Sequence, residues 1–195
     1  MQEFEKKTRN SIYGGSQMII TLIGMMGSGK STVAKLIADN LDYNFYDTDA
    51  LIVKKTGREI NEIFKEDGEK YFRNLEIKII NNLYYRNDKK NKVIATGGGA
   101  VLSEANRNIF LNEGKVYWLN VKTKKLADRL YENRDRPLIK EHKDKKAGLI
   151  NHLDKILSDR YEYYQIGIEI DGNKEPLDIA RIIINEIRDE VDRIE

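Results

Sequence analysis

The chain has 195 residues, enough for one α/β domain or two very small ones. Its 34 Lys and Arg residues are balanced by 32 Asp and Glu residues, and the two signs are interspersed, which argues against a dedicated nucleic-acid-binding protein. The 40% of hydrophobic residues predicts a folded chain, and the absence of cysteine excludes disulfides and thiolate metal sites.

The polar N-terminus, residues 1–17, is predicted to be a flexible extension because it ends in Gly14-Gly15-Ser16, a linker composition. The apolar run that follows, Met18–Met26, is much shorter than the ~20 residues of a membrane-spanning helix. It also lacks the cleavage pattern of a signal peptide. We therefore expect a cytoplasmic protein with no membrane partner and one folded domain over residues 18–195.

Short apolar runs alternate with longer segments of helical periodicity along this domain. The runs predict five strands: Met18–Ile23, Asn44–Tyr46, Val93–Ala95, Val116–Val121 and Ile166–Ile170. Between and after them, apolar residues at spacings of three and four predict helix faces: Val33, Ile37 and Leu41; Phe72, Leu75 and Ile79; Leu177, Ala180, Ile184, Ile187 and Val191. Such alternation predicts βαβ units around a parallel sheet.

One segment does not fit this pattern. In Arg134–Lys146 nine of the thirteen residues are charged, and the only apolar pair, Leu138 and Ile139, follows Pro137. So polar a segment is not expected to pack as a core element, and we predict a mobile loop.

The first strand is followed by a phosphate-binding motif. The residues Gly24-Met25-Met26-Gly27-Ser28-Gly29-Lys30-Ser31 satisfy G-x-x-x-x-G-K-[ST] between a predicted strand and a predicted helix. In this motif backbone amides surround the β-phosphate, the lysine reaches the β and γ oxygens, and the serine hydroxyl meets Mg²⁺. The alternative is a glycine-rich turn with an exposed lysine. The Asn-Lys-x-Asp loop of guanine-reading GTPases is missing, which disfavours a switch GTPase.

Two acidic residues follow the second strand. Asp47 and Asp49 come at a strand's carboxyl end, where open α/β sheets bind ligands, and side chains two apart on a strand point the same way. One carboxylate can then meet Mg²⁺ through water while the other orients or deprotonates an attacking hydroxyl. The alternative is a solvated acidic turn.

Two further patterns lie downstream. Arg73 and Glu76 share a helix face, where the alternative is a surface ion pair of little energetic value. Gly97-Gly98-Gly99 follows the third strand and permits close approach of backbone to a ligand, or it is merely a tight turn.

The order of these motifs resembles the shikimate kinase family of P-loop enzymes. It comprises the phosphate loop, Asp47-Thr48-Asp49, Phe72-Arg73 with Glu76, the three glycines and Arg136-Pro137-Leu138, from Met18 to about Glu190. The resemblance implies a three-layer αβα P-loop kinase fold with a central parallel sheet of about five strands and a mobile lid at about 134–147. It also implies transfer of the γ-phosphoryl group of ATP to the 3-hydroxyl of shikimate, with Mg²⁺. We expect a monomer with ATP and shikimate as its partners.

The resemblance also implies residue roles on the acceptor side. Asp49 would bind the substrate hydroxyls and serve as the base, and Asp47 would lie near Mg²⁺ with Ser31. Arg73 would hold the shikimate carboxylate, and Gly98, between Gly97 and Gly99, would offer its backbone N–H. Arg160 would be a second carboxylate clamp, although Arg160-Tyr161-Glu162-Tyr163-Tyr164 lacks the Pro and Leu of the family's R-x-P-L-Y.

On the nucleotide side, the resemblance assigns ATP binding to the phosphate loop and three more distant residues. The loop residues are Gly27, Ser28, Gly29, Lys30, Ser31 and Thr32, with Lys30 also catalytic. Arg136 would swing in with the lid to stabilise the transferring phosphoryl group. Arg129 would lie against the adenine, where the alternative is a helix-surface cation, and Lys174 would line the adenine loop.

Two other functions compete with this interpretation. One is a kinase of another small polar acceptor, such as gluconate. The other is a catalytically weak nucleotide-binding regulator, which would be expected to have lost at least one of Lys30, Asp49, Arg73 and Arg136. All four are present.

Overall fold

A computed structural model describes residues 17–86, 90–132 and 146–193. The predicted extension therefore lies outside the described residues except for Gln17, and the predicted lid except for its last two residues. Those two, Lys146 and Ala147, begin a helix, so the lid prediction overlaps a regular element by two residues.

The described residues form five strands and eight α-helices. The strands are β1 (Ile19–Ile23), β2 (Asn44–Asp47), β3 (Lys92–Ala95), β4 (Lys115–Asn120) and β5 (Ile168–Asp171). The helices are α1 (Lys30–Leu41), α2 (Thr48–Thr56), α3 (Ile60–Glu66), α4 (Gly68–Tyr85), α5 (Glu104–Glu113), α6 (Thr123–Glu132), α7 (Lys146–Tyr164) and α8 (Pro176–Asp192). A short 3₁₀ turn, Ala100–Leu102, precedes α5.

The strands make one parallel sheet in the order β2-β3-β1-β4-β5. All five residues of the central strand β1 are buried, because helices cover both faces of the sheet. The carboxyl ends of β1, β2 and β3 meet at one edge, so the loops that follow them converge there. The fold confirms the predicted parallel α/β architecture.

Two apolar clusters, one on each face of the sheet, give the three layers. Alternate β1 residues point to opposite faces: Ile19 and Ile23 join the cluster beneath α4, α5 and α7, whereas Ile20 and Leu22 join the cluster beneath α1 and α8. The predicted apolar face of α8 is confirmed at Ala180, Ile184 and Ile187, which are buried together with Ile179 and Ile183. It is wrong at Leu177, which is 49% exposed, and the side chain of Val191 lies outside the described part of the chain.

None of the helices in the described ranges combines the length and apolar character needed to cross a membrane.

Candidate active site

The phosphate loop bends between β1 and α1 through left-handed backbone positions that suit glycine. Gly24, Gly27 and Gly29 have φ values of 142°, 77° and 93°. The ammonium of Lys30 donates to the carbonyl oxygens of Gly24 and Met25, each at 2.8 Å. Lys30 is only 7% exposed, so the alternative of an exposed lysine on a glycine-rich turn is wrong.

Asp47 joins the phosphate loop to the second strand. Its Oδ2 accepts a hydrogen bond from Ser31 Oγ at 2.5 Å. Its Oδ1 caps helix α2 by accepting from the amides of Asp49 and Ala50, at 3.0 and 3.1 Å. The structure thus brings the two predicted magnesium residues into contact, although they are 16 positions apart in the chain.

The two aspartates do not lie side by side on a strand, as the sequence argument assumed. Asp47 ends β2, whereas Asp49 lies in the first turn of α2 because Asp47 caps that helix. Both still line the same cleft beside the phosphate loop. Between them, the buried Thr48 accepts a hydrogen bond from the amide of Gly97 through its Oγ1 at 3.0 Å. This hydroxyl fixes the glycine loop to α2.

The three glycines allow acidic and basic side chains to approach the backbone. A Cβ at Gly97 would lie 2.7 Å from a carboxylate oxygen of Asp49 and 2.7 Å from one of Glu76. A Cβ at Gly98 would lie 2.9 Å from the backbone nitrogen of Met26 in the phosphate loop. These positions are too crowded for a side chain, so the segment does more than turn the chain.

Arg73 is held between two glutamates of its own helix. Its Nη1 donates to Glu76 Oε2 at 2.9 Å, and its Nε and Nη2 donate to Glu69 Oε1 at 3.2 and 3.1 Å. The side chain of Glu76 is 0% exposed and that of Arg73 20%, so a surface ion pair is the wrong description. Burial raises the pKa of Glu76 more than the neighbouring Arg73 lowers it, and the charge of Asp49 adds to the rise.

The carbonyl oxygen of Gly98 accepts two hydrogen bonds from α7. Arg160 Nη1 donates at 3.2 Å and the hydroxyl of Tyr164 at 2.6 Å. The sequence analysis assigned Arg160 to a carboxylate and did not use Tyr164. Glu76 interacts electrostatically with Arg73, Arg160 and Asp49, so these four side chains form a mixed-charge cluster.

A second, more basic cleft continues from the phosphate loop toward β5. The cleft at the loop has a volume of about 550 Å³ and the neighbouring one about 750 Å³, and Lys125 and Arg129 line both. Arg129 Nη1 donates to the carbonyl oxygens of Gly27 and Ser28, both at 3.2 Å. It is half-buried against the phosphate loop, so the alternative of a free helix-surface cation is wrong.

The loop before α8 forms one wall of these two clefts, but the predicted residue Lys174 does not take part. Asn173 lines the larger cleft, and Glu175 and Pro176 line the cleft at the phosphate loop. Lys174 is exposed and is absent from the lining of both clefts. Lys125 instead donates to the carbonyl oxygen of Asn173 at 2.7 Å.

Arg136 and the predicted lid residues around it lie outside the described residues. Thr48, Glu69, Lys125 and Tyr164 were not predicted as parts of the site. Thr48 had a signal in its position between two aspartates, and Tyr164 had one as the last residue of the R-x-P-L-Y pattern, whereas Glu69 and Lys125 had none.

The oxygen donors at Ser31 and Asp47 fit a magnesium ion. Mg²⁺ is commonly held by one or two protein oxygens together with substrate phosphates and water. Within the described ranges, no three His, Asp or Glu side chains cluster closely enough to hold a metal by themselves. The donor set therefore suits an ion that arrives with a nucleotide better than a permanent protein-bound metal.

Comparison with known proteins identifies the family. A model of the shikimate kinase family matches residues 26–188. The shikimate kinase of Rippkaea orientalis is 41% identical over 168 residues, covering 86% of this chain and 87% of that protein. The shikimate kinase of Sulfurihydrogenibium is 37% identical over 171 residues, covering 87% of this chain and 97% of that protein.

Solved structures agree. The shikimate kinase of Acinetobacter baumannii in complex with shikimate superposes with a TM-score of 0.80 at 31% identity, over 94% of this chain and 98% of that one. A gluconokinase of Sinorhizobium meliloti has a TM-score of 0.58 at 18% identity, over 89% of this chain and 95% of that one, and shows likeness of fold alone. The chain belongs to the shikimate kinase family.

Proposed function

We propose that this chain transfers the γ-phosphoryl group of ATP to the 3-hydroxyl of shikimate, in the cleft between the phosphate loop, α2 and the three glycines. Membership of the shikimate kinase family carries the activity. The phosphate loop, Asp47, Asp49 and Gly98 line one cleft, which supports the roles proposed for them.

The nucleotide phosphates are bound by the loop Gly27-Ser28-Gly29-Lys30-Ser31-Thr32. Its first three residues precede helix α1 and its last three form the first turn of that helix. The amides and the positive end of the helix suit an anion. Lys30 leaves its two loop carbonyls for the phosphate oxygens. Arg129 stabilises the loop through its hydrogen bonds to the carbonyls of Gly27 and Ser28. The adenine would lie toward Glu175 and Pro176, which line the same cleft.

The acceptor carboxylate is bound by Arg73 and Arg160, which reach the triple-glycine loop from α4 and α7. Arg73 is already oriented by Glu76 and Glu69. A guanidinium presents a planar pair of donors that matches a carboxylate. The backbone of Gly98 lies between the phosphate loop and these arginines, so a substrate held there has its ring beside Asp49.

Asp49 orients the 3-hydroxyl and accepts its proton. The hydroxyl oxygen forms a bond to the γ-phosphorus, the bond from that phosphorus to the bridging oxygen of ADP breaks, and the proton moves to the Asp49 carboxylate. Ser31 and Asp47 would hold a magnesium ion, which would supply positive charge against the phosphate oxygens. Arg136, which lies outside the described residues, stabilises the transferring group in this proposal.

Coupled measurement of ADP release tests the function. With Mg²⁺ and ATP, shikimate should stimulate ADP release well above the background without acceptor, and gluconate should not. Equal rates with and without shikimate would contradict the proposal. Stimulation by gluconate but not by shikimate would identify gluconate as the acceptor. Cytoplasmic location and a monomeric state stay predictions; size-exclusion chromatography with light scattering tests the second.

A further inference from the structure

The carbonyl oxygen of Gly98 has two donors of different character. The hydroxyl of Tyr164 donates at 2.6 Å and Arg160 Nη1 at 3.2 Å. Tyr164 is 0% exposed, whereas Arg160 is only partly buried. The shorter bond therefore comes from the more buried side chain.

The ring of Tyr164 is fixed by the core. It stacks on Trp118 of β4, with ring centroids 5.7 Å apart and planes 11° from parallel. Trp118 is itself only 1% exposed and contacts Tyr161 edge-on at 5.4 Å. A tyrosine has few rotatable bonds and these are held by packing, whereas an arginine has four. The donor on Tyr164 is thus tied to the sheet.

Gly98 in turn lies against the phosphate loop. A Cβ there would come within 2.9 Å of the nitrogen of Met26, so Gly98 is packed closely against that loop. Gly97 is held to Thr48, and Gly99 lies against the guanidinium of Arg73. Because its neighbours are anchored in this way, the Gly98 carbonyl has its freedom mainly on the side of Arg73 and Arg160.

We propose that Tyr164 is a positioning residue for acceptor binding: its hydroxyl fixes the Gly98 carbonyl and so leaves Arg160 free to turn toward the acceptor carboxylate. The inference rests on the proposed function, which assigns Arg160 to that carboxylate. If Tyr164 did not donate, Arg160 would be the remaining donor seen on this oxygen, and its departure would leave a partly buried carbonyl unpaired. Burial also raises the pKa of Tyr164 to about 12, which keeps the hydroxyl protonated.

Steady-state kinetics of Tyr164→Phe test this role. The substitution removes only the hydroxyl, so the KM for shikimate should rise about five- to tenfold, the loss expected for one hydrogen bond. The KM for ATP should stay within about twofold of wild type, because Tyr164 does not line the cleft at the phosphate loop. Tyr163→Phe is the matched control: Tyr163 is 38% exposed, its ring lies 4.5 Å from the Arg107 guanidinium, and all constants should stay unchanged.

A wild-type KM for shikimate in Tyr164→Phe overturns the inference, and so does an equal rise in both KM values, which indicates general loosening. If the wild-type enzyme shows no shikimate-stimulated ADP release, the proposed function fails and the inference fails with it. The emission of Trp118, the single tryptophan, verifies that the ring stack persists in the variant.

A second measurement applies if Tyr164→Phe does not fold. A tyrosine fluorinated at all four free ring carbons, placed at position 164, keeps the hydroxyl and lowers its pKa from about 12 by several units, into the pH range of the assay. The charged groups that face it are Arg160, Arg73 and Glu76. The KM for shikimate should rise with pH as this hydroxyl ionises and stops donating, relative to the wild-type profile. Superimposable pH profiles overturn the inference.

Discussion

Asp49 has the most demanding role of any single residue in this account. Its carboxylate lies at the glycine loop and lines the cleft beside the phosphate loop. Replacement by Asn keeps the shape but removes the proton acceptor, so Asp49→Asn should lower kcat by about 10² or more. The KM for ATP should change little, because no phosphate contact is assigned to this side chain.

Asp39→Asn is the control for this substitution. Asp39 lies in α1 with a side chain that is 62% exposed and pairs with Lys35. Its kcat and both KM values should match the wild type. Near-wild-type turnover in Asp49→Asn would remove Asp49 from the chemistry and leave it a structural role at Gly97.

Glu76 gives a second prediction at the residue scale, in the pH dependence of stability. Burial raises the pKa of Glu76 in the folded chain above its ordinary value of 4.5. As pH rises from 4.5 toward the folded pKa, the unfolded chain loses this proton first, so the folded state binds more protons and becomes less stable. Glu76→Gln removes the titration. Its free energy of unfolding, measured in urea, should therefore rise relative to wild type as pH increases through that window.

The matched substitution Glu69→Gln removes the exposed partner of the same arginine. Its side chain is 58% exposed, so the change should cost less than about 1 kcal/mol. A difference between Glu76→Gln and wild type that stays constant with pH would contradict the assigned pKa direction.

At the scale of elements, the N-terminus of α2 connects two neighbouring strands. Asp47 caps the helix while Thr48, its first residue, accepts the amide of Gly97, which follows β3. Thr48→Val keeps the shape but leaves that buried amide without its acceptor. We expect a loss of about 1–3 kcal/mol in the free energy of unfolding, with a raised KM for shikimate because the glycine loop loosens.

Thr48→Ser retains the hydroxyl and separates the hydrogen bond from packing. It should keep the wild-type KM for shikimate and lose only about the 0.8 kcal/mol of one buried methyl group. Equal effects of Thr48→Val and Thr48→Ser on the KM for shikimate would show that the Thr48 hydroxyl does not position the glycine loop. Urea unfolding and the ADP-release assay measure both quantities.

The elements themselves are predictable because their signals are local. Apolar runs place all five strands within about two residues of their observed bounds, and Pro176 begins α8 as its preference for a first turn indicates. The start of α2 is the feature that the local argument missed. Treating Asp47 and Asp49 as strand-like neighbours whose side chains point the same way overlooks that Asp47 is a strong helix cap, which starts a helix one residue later.

The contacts within the site are predictable only in part. Spacing places Arg73 and Glu76 on one helix face, but the burial of Glu76 depends on Gly97, which is distant in sequence. The role of Tyr164 likewise depends on stacking with Trp118 across the layer between sheet and helix. Such pairings arise from tertiary packing and have no signature in either segment alone.

For the whole molecule, a net charge of +2 conceals a local concentration of cations. Lys30, Arg73, Arg129 and Arg160 come from four different helices, and a parallel sheet brings the loops and helices that carry them to one edge. Asp47 and Asp49 line the same cleft as Lys30 and Arg129, so the proposed site combines charges of both signs. Outside the site, acidic and basic side chains lie together on exposed helix surfaces, and their charges nearly cancel.

Identification of the phosphorylated product tests the central claim most directly. The wild-type chain is incubated with Mg²⁺, ATP and shikimate, and phosphorus-31 NMR with proton coupling follows the products. The account predicts one new phosphomonoester on the 3-hydroxyl of shikimate, formed in equal amount to ADP. Release of inorganic phosphate in place of that ester, or an ester on another hydroxyl, would contradict it.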